Sequence, residues 1–383
     1  MRIAPDWLDR AGPQAVMAAL MRDGHRAWFV GGCVRNALLG RADSDIDIAT
    51  TARPHQTVAA AGRAGLKSVP TGADHGTITV VAGGEGYEVT TLRRDVETDG
   101  RHARVTFSWR IEEDAARRDF TMNALYAEAD GRVVDPLEGL PDLRAGRVRF
   151  IGEAEERIAE DYLRILRFFR FTAWYGRQGP DATGLAACAA LAEGLGRIAA
   201  ERKGQEMRKL LAAPDPAPVV ATMAQAGILA QVLPGAQAQA LAPLIHLEDG
   251  LAPDPIRRLA VLGGTDPVAA LRLSRAEARR LQLYRDALEA GHAPARIAQE
   301  HGIDRGRDLA LIAAALTGQP LPPDLEPVLD HAAAARFPVT ARDLMALGHQ
   351  GAELGARLAS LREAWIGSGF ALDRAALLAR AQD

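Results

Sequence analysis

The chain has 383 residues, 48% hydrophobic and 25% charged, a balance that suits two or more globular domains and excludes wholesale disorder. A formal charge of −3 supplies no bulk cationic field for indiscriminate nucleic-acid binding. Two cysteines, Cys33 and Cys188, build neither a disulfide framework nor a cysteine-rich zinc site, and the nine histidines are scattered.

No apolar run approaches the roughly 18 residues of a membrane helix. Charges at Asp6, Asp9, Arg10, Arg22 and Asp23 are wrong for a signal peptide, so a soluble, cytoplasmic protein is expected. Arginine outnumbers lysine 43 to 3. That excess reads first as the compositional bias of a G+C-rich genome, although a guanidinium pairs with phosphates and base edges in ways that lysine does not.

In chain order, residues 26–30 form a short apolar run that ends at Gly31-Gly32, with a helix expected from about Cys33. Residues 45–49 alternate acidic and apolar side chains. Residues 77–82 and 87–92 are rich in β-branched residues and flank a glycine cluster, the signature of a hairpin. Another strand pair is expected around Asp130-Gly131. From about Glu153 the strand signals stop. Residues 153–175 read as one long helix, and further helices follow between proline-rich breaks, the last set from about residue 341. The fold class is α+β: a small mixed sheet with flanking helices, then an all-α remainder.

Gly31-Gly32 before a helix is either an ordinary turn or a place where backbone N–H groups approach a polyphosphate, with Arg35 within reach of the same phosphates. Asp45 and Asp47 lie two apart on an expected strand, so both carboxylates leave one face while Ile46 and Ile48 point into a core. Such a pair is either a solvated strand end or a site for a hard cation. Its position a dozen residues after the glycine turn favours Mg²⁺ bridging to substrate phosphates. Glu88 is a candidate third acid or a solvated strand glutamate. In the 153–175 helix, Ile158, Tyr162, Ile165 and Phe169 form the buried stripe, with Asp161 and Arg164 side by side on its flank. They are either an i,i+3 ion pair or a reader of base edges. An acceptor beside a donor matches the Watson–Crick edges of cytosine and adenine and mismatches uracil and guanine.

Gly31-Gly32, Val34-Arg35, Leu38-Leu39-Gly40 and Asp45-x-Asp47 together resemble the first motif of the class II nucleotidyltransferases, the CCA-adding enzymes and bacterial poly(A) polymerases. That family usually has Asp where this chain has Asn36, which puts any salt bridge made from this position in doubt. Further motifs follow in the family's order: Thr71-Gly72 with His75-Gly76-Thr77, residues 88–93, and Arg117-Arg118-Asp119 with Asn123-Ala124. Asp135-Pro136 with Gly139, Glu160-Asp161 with Arg164, and a neck motif from Glu201 to Lys209 complete the set. The resemblance is dense from about residue 27 to 210.

It implies a catalytic head over 1–145, a helical neck carrying the nucleotide template over 146–210, and a tRNA-binding body and tail over 211–383. It also implies Asp45 and Asp47 as catalytic residues that hold two Mg²⁺ ions for nucleotidyl transfer to the RNA 3′-hydroxyl. The implied nucleotide-binding residues are Gly32, Arg35, Arg118, Asp119, Asn123, Asp161, Arg164, Arg167 and Arg170, with CTP, ATP and the tRNA 3′ end as partners. Poly(A) polymerase, a CC- or A-adding specialist and a non-catalytic RNA-binding relative are the rival expectations. No histidine–aspartate phosphohydrolase motif follows residue 210.

Overall fold

A computed structural model describes residues 1–41, 45–99 and 102–382. They group into two units: Met1–Pro234 with Ala269–Arg272, and Gly235–Val268 with Leu273–Asp383. No described helix is long and apolar enough to cross a membrane.

In the first unit, α1 (Ala11–Arg22) leads to β1 (Ala27–Val30), whose four residues are all buried. The chain continues through α2 (Gly32–Leu38), β2 (Asp47–Thr50), α3 (Pro54–Arg63), β3 (Lys67–Gly72), β4 (Thr77–Ala82) and β5 (Glu85–Thr91). A separate two-stranded ribbon, β6 (Arg93–Asp99) with β7 (His102–Phe107), precedes α4 (Ile111–Ala116). Two short strands, β8 (Tyr126–Ala127) and β9 (Val133–Val134), complete a seven-stranded sheet of order β3-β4-β5-β2-β1-β8-β9. Among the described strands only β2 and β5 pair in parallel.

The expected hairpin is present, with β5 starting two residues earlier than the sequence suggests. Gly83 (φ 63°) and Gly84 (φ 85°) supply the consecutive positive dihedrals of its two-residue turn. Residues of β1 alternate between two cores. Phe29 meets the Trp7 ring edge-on at 5.0 Å, whereas Trp28 and Val30 pack with Leu92, Ile111, Ala115 and Tyr126.

Helices α5 (Gly139–Ala145), α6 (Ala154–Glu160), α7 (Leu163–Tyr175), α8 (Ala182–Ala190) and α9 (Ala200–Leu211) follow. Phe150 stacks on Phe168 of α7 at 5.4 Å, and Phe120 packs at a tilt against Phe150, Phe168 and Phe171 at 4.9, 6.3 and 5.3 Å, joining the sheet region to the helices. The single helix expected over 153–175 is two helices. Asp161 between them is extended (φ −155°, ψ 104°). Its side chain accepts the Leu163 N–H at 3.1 Å, the local bond by which aspartate competes with helix continuation. The buried face of α7 is also wider than the expected stripe, taking in Leu163, Leu166 and Phe168 while Tyr162 stays half-buried.

The second unit is helical, with Leu241–Leu247, Pro255–Leu262, Arg275–Glu289, Pro294–His301, Ile303–Thr317 and Leu325–Ala334 among its elements. The helices expected from about residue 341 begin at Ala341. Within it lies a buried ion cluster. Glu248 binds Arg257 and Arg258, both at 2.7 Å, and Asp308 binds Arg257 at 2.9 Å, Arg280 at 2.6 Å and the Tyr284 hydroxyl.

Candidate active site

Strand register gathers the first candidates. Val30, the last residue of β1, pairs with Asp47, and Asp47 pairs with Glu88 on β5. The glycine turn and two acids therefore stand at neighbouring register positions on three adjacent strands. Gly31 caps α2 at φ 75°, ψ −118°, and a Cβ there would lie 3.5 Å from Arg118 Nη1. Glycine is thus required by conformation and sits beside a cation. Gly32 opens α2 and is half-buried.

Asp45 precedes β2 instead of lying within it, and Ile46 faces a cleft of about 740 Å³ with Asp45, Asp47 and Glu88 instead of entering the core. Ile48 is fully buried as expected. Burial, then Glu88, push the Asp47 carboxyl up to about 6; Asp45 adds to this and Arg118 opposes it. Carboxylates held so close in a partly dry cleft favour a cation or a proton. Among the described residues no three His, Cys, Asp or Glu side chains form a ready metal cage. Two hard oxygen donors nevertheless fit an ion whose remaining positions are filled by water and substrate phosphates, the habit of Mg²⁺.

Arg118 is held by two partners that the sequence did not reveal. Its Nη2 donates to Asp114 at 3.0 Å and its Nε to the Tyr126 hydroxyl at 3.2 Å, while that hydroxyl donates to Asp114 at 2.7 Å. Burial opposes ionisation of Asp114, but Arg118, Arg117 and Tyr126 hold its carboxyl down at about 2. The i,i+3 and i,i+4 spacing from Asp114 to Arg117 and Arg118 is the signal for these partners in the sequence. Asp119 is 8% exposed and accepts from Asn123 Nδ2 and the Phe120 N–H, both at 2.9 Å, and from Arg167 Nε at 2.7 Å. Burial is again outweighed, chiefly by Arg167, leaving its carboxyl at about 2. Asp119 and Asn123 thus lie together, bonded to each other.

Asp161 and Arg164 are joined through the backbone, where the Arg164 N–H donates to the Asp161 carbonyl at 2.9 Å, but their side chains take different partners. The Asp161 carboxylate takes a two-point contact from Arg202 of α9, at 3.2 and 2.6 Å, while Arg164 binds Glu160 and the Arg157 carbonyl. Arg167 and Arg170 share Glu206, at 4.0 and 2.7 Å. The acceptor and the donor are therefore held separately, each from behind by an opposite charge. Nothing local in the sequence announces Arg202, 41 residues downstream.

Arg35, read from the sequence as within reach of phosphates, is buried among side chains of α2, α7 and the 121–123 turn. It is 7% exposed, donates to Asn36 Oδ1, Asn123 Oδ1 and the Tyr175 hydroxyl, and lies over the Tyr175 ring at 4.3 Å. All its hydrogen-bond partners are neutral, and Asp119 is the carboxylate that favours its charge from a longer distance. Asn36, where the family has Asp, accepts from Arg35 and from the Tyr175 hydroxyl, so no salt bridge forms there.

Acids on neighbouring strands beside a glycine turn, backed by an arginine-rich helical neck, form the arrangement of a nucleotidyltransferase head. Residues 27–149 match the Poly A polymerase head domain, and residues 181–239 match a probable RNA and SrmB-binding site of polymerase A. The mitochondrial CCA tRNA nucleotidyltransferase 1 of Mus musculus is 34% identical, and that of Homo sapiens 35%; each alignment covers 96% of this chain and 89% of the relative. The crystal structure of the Bacillus stearothermophilus CCA-adding enzyme in complex with CTP superposes with a TM-score of 0.75 at 28% identity, covering 93% of this chain and 92% of that one. The chain belongs to the CCA tRNA nucleotidyltransferase family and is an enzyme of that class. Nucleotidyltransferases of this kind use divalent metal ions.

Proposed function

We propose that this enzyme adds the 3′-terminal CCA sequence to tRNA, taking CTP and ATP one at a time without a nucleic-acid template. The observation that carries the reading is the register that sets Asp47 against Glu88 and beside Arg118 at the glycine turn. It supports a site that meets a cation with carboxylates and a triphosphate with a guanidinium. Asp45 and Asp47 would hold Mg²⁺, which when bound supplies Lewis-acid activation of the RNA 3′-hydroxyl and neutralises phosphate charge. Arg118, oriented by Asp114 and Tyr126, is the cation that meets the triphosphate. Asp119 and Asn123 meet the ribose through their remaining lone pairs and N–H. Asp161 accepts from the amino group of C or A, and Arg164 donates to the adjacent ring nitrogen.

Residues 1–145 would serve catalysis, 146–210 nucleotide selection and 211–383 tRNA binding. The test is incubation with tRNA transcripts ending before the CCA and after its two cytidines, and with unrelated RNA, each NTP supplied in turn. CTP on the first and ATP on the second are expected. Long adenylate tails on unrelated RNA would identify a poly(A) polymerase instead, and no incorporation on any substrate would leave a non-catalytic relative.

A further inference from the structure

We propose that Tyr162, seated on Gly194, is a positioning residue for base selection: it fixes the backbone break from which the Asp161 carboxylate projects. This rests on the base-reading role given to Asp161 above. Tyr162, expected on the buried stripe, is half-buried at the start of α7. Its backbone is helical (φ −59°, ψ −15°), whereas that of Asp161, one residue earlier, is extended. The chain changes conformation between these two residues. Whatever holds the Tyr162 side chain therefore also holds the Cα from which the Asp161 side chain starts.

The seat is a short 3₁₀ turn, Ala192–Arg197, anchored by the fully buried Leu195. A Cβ added at Gly194 would lie 1.9, 2.0 and 2.5 Å from Cδ1, Cε1 and Cγ of Tyr162, so the ring rests directly on the Gly194 backbone. Gly194 is outside the left-handed region, and conformation alone does not demand glycine there; the ring does. Because Cγ is one of the three atoms, swinging the far end of the ring would not relieve such a clash. The Arg197 guanidinium, at the end of the same turn, lies 5.5 Å from the ring centroid and adds a cation–π contact. Ring carbons make the seat, and the Tyr162 hydroxyl takes no part in it.

The same stretch of chain then enters α9, where Arg202 grips the Asp161 carboxylate. Residues 192–202 thus hold two adjacent residues of the break, Tyr162 by packing and Asp161 by charge. The two holds differ in what they restrain. Arg202 restrains the far end of the Asp161 side chain, and the tyrosine seat restrains its backbone. The Leu163 N–H on Asp161 Oδ1 and the Arg164 N–H on the Asp161 carbonyl close the turn between them. An acceptor discriminates between base edges only when it is held within about 0.5 Å of its productive position. Slack at this break therefore costs selectivity between bases more than affinity for the phosphates that all nucleotides share.

Gly194→Ala lifts the ring from its seat, Tyr162→Ala removes it and Tyr162→Phe keeps its packing face; Asp161→Ala is the control. In each full-length variant, hydrogen exchange is followed over residues 160–166, and catalytic efficiencies are measured for CTP and UTP on a tRNA transcript lacking its CCA end. Gly194→Ala and Tyr162→Ala are expected to speed exchange of the Leu163 and Arg164 N–H groups. Both should also lower the CTP over UTP ratio about tenfold, the size of one misdirected hydrogen bond. Tyr162→Phe should keep both parental values. If Asp161→Ala lowers the ratio but Tyr162→Ala does not, the seat has no part in selection and the proposal fails. If Asp161→Ala leaves the ratio unchanged, the base-reading role fails instead. Exchange in Tyr162→Ala then decides the seat alone: faster exchange upholds it and parental exchange overturns it. Tyr162→Ala introduces no clash, so it gives the answer should Gly194→Ala not fold.

Discussion

Above pH 6, Asp47 is ionised against burial, Glu88 and Asp45. Its folded pKa lies above the ordinary carboxylate value, so the folded state binds the proton more tightly. This group's contribution to stability is therefore greatest below about pH 4 and falls as pH rises towards 6. In metal-free buffer, Asp47→Asn should be more stable than the parent by about 1–2 kcal/mol above pH 6, with the gap closing by pH 4. The same change, like Asp45→Ala, should abolish incorporation. Mg²⁺ should raise the melting temperature of the parent but not of Asp47→Asn; equal rises in both would remove Asp47 from the metal site. Asp119 has the opposite sign. Its carboxyl is held at about 2, so its stabilisation is present at neutral pH and is lost as pH falls from about 4 to 2. Asp119→Asn should cost about 2 kcal/mol in urea unfolding at pH 7 and flatten that acid limb.

At the scale of elements, the break between α6 and α7 sets the Asp161 carboxylate apart from the helix ladder and turns it towards Arg202. If Asp161 reads the base, Asp161→Ala should shrink the preference for CTP over UTP by about 1–3 kcal/mol per lost hydrogen bond. The ratio of the two catalytic efficiencies measures it. Slower CTP incorporation at an unchanged ratio would make Asp161 a structural partner of Arg202 and nothing more. Local signals made part of this site legible: Gly31 needs a positive φ, Asp45 and Asp47 lie two apart, and the glycine pair at 83–84 announces its hairpin. The rest depends on partners far along the chain. Arg35 meets Tyr175 across 140 residues and Asp161 meets Arg202 across 41, distances at which no periodicity speaks. Strand β3 escaped notice because it is a largely exposed edge carrying Pro70, without apolar alternation. The β6–β7 ribbon is rich in charge and reads as polar loop.

For the whole molecule, the second unit depends on Asp308, which is 4% exposed and serves Arg257, Arg280 and Tyr284 at once. Asp308→Ala would leave Arg257 to Glu248 and Arg280 to Asp254, take the acceptor from the Tyr284 hydroxyl, and should destabilise that unit by about 1.5–3 kcal/mol. Urea unfolding should then show an early transition that leaves CTP binding intact. Loss of CTP binding in that same transition would show that the nucleotide site depends on the second unit. A fragment ending at residue 145 keeps both aspartates but lacks Asp161 to Arg170, and it should show no selective addition of CTP to tRNA.

The parallel pairing of β2 with β5 also bears on how the chain is made. Both aspartates leave the ribosome within the first fifty residues, but Glu88 reaches Asp47 only after α3, β3 and β4 have crossed over, and the other flank of β1 waits for Tyr126. Pairings of such long sequence separation form slowly. Until they form, β1 and β2 present open edges to other nascent chains, and it is in that interval that this protein is most exposed to aggregation.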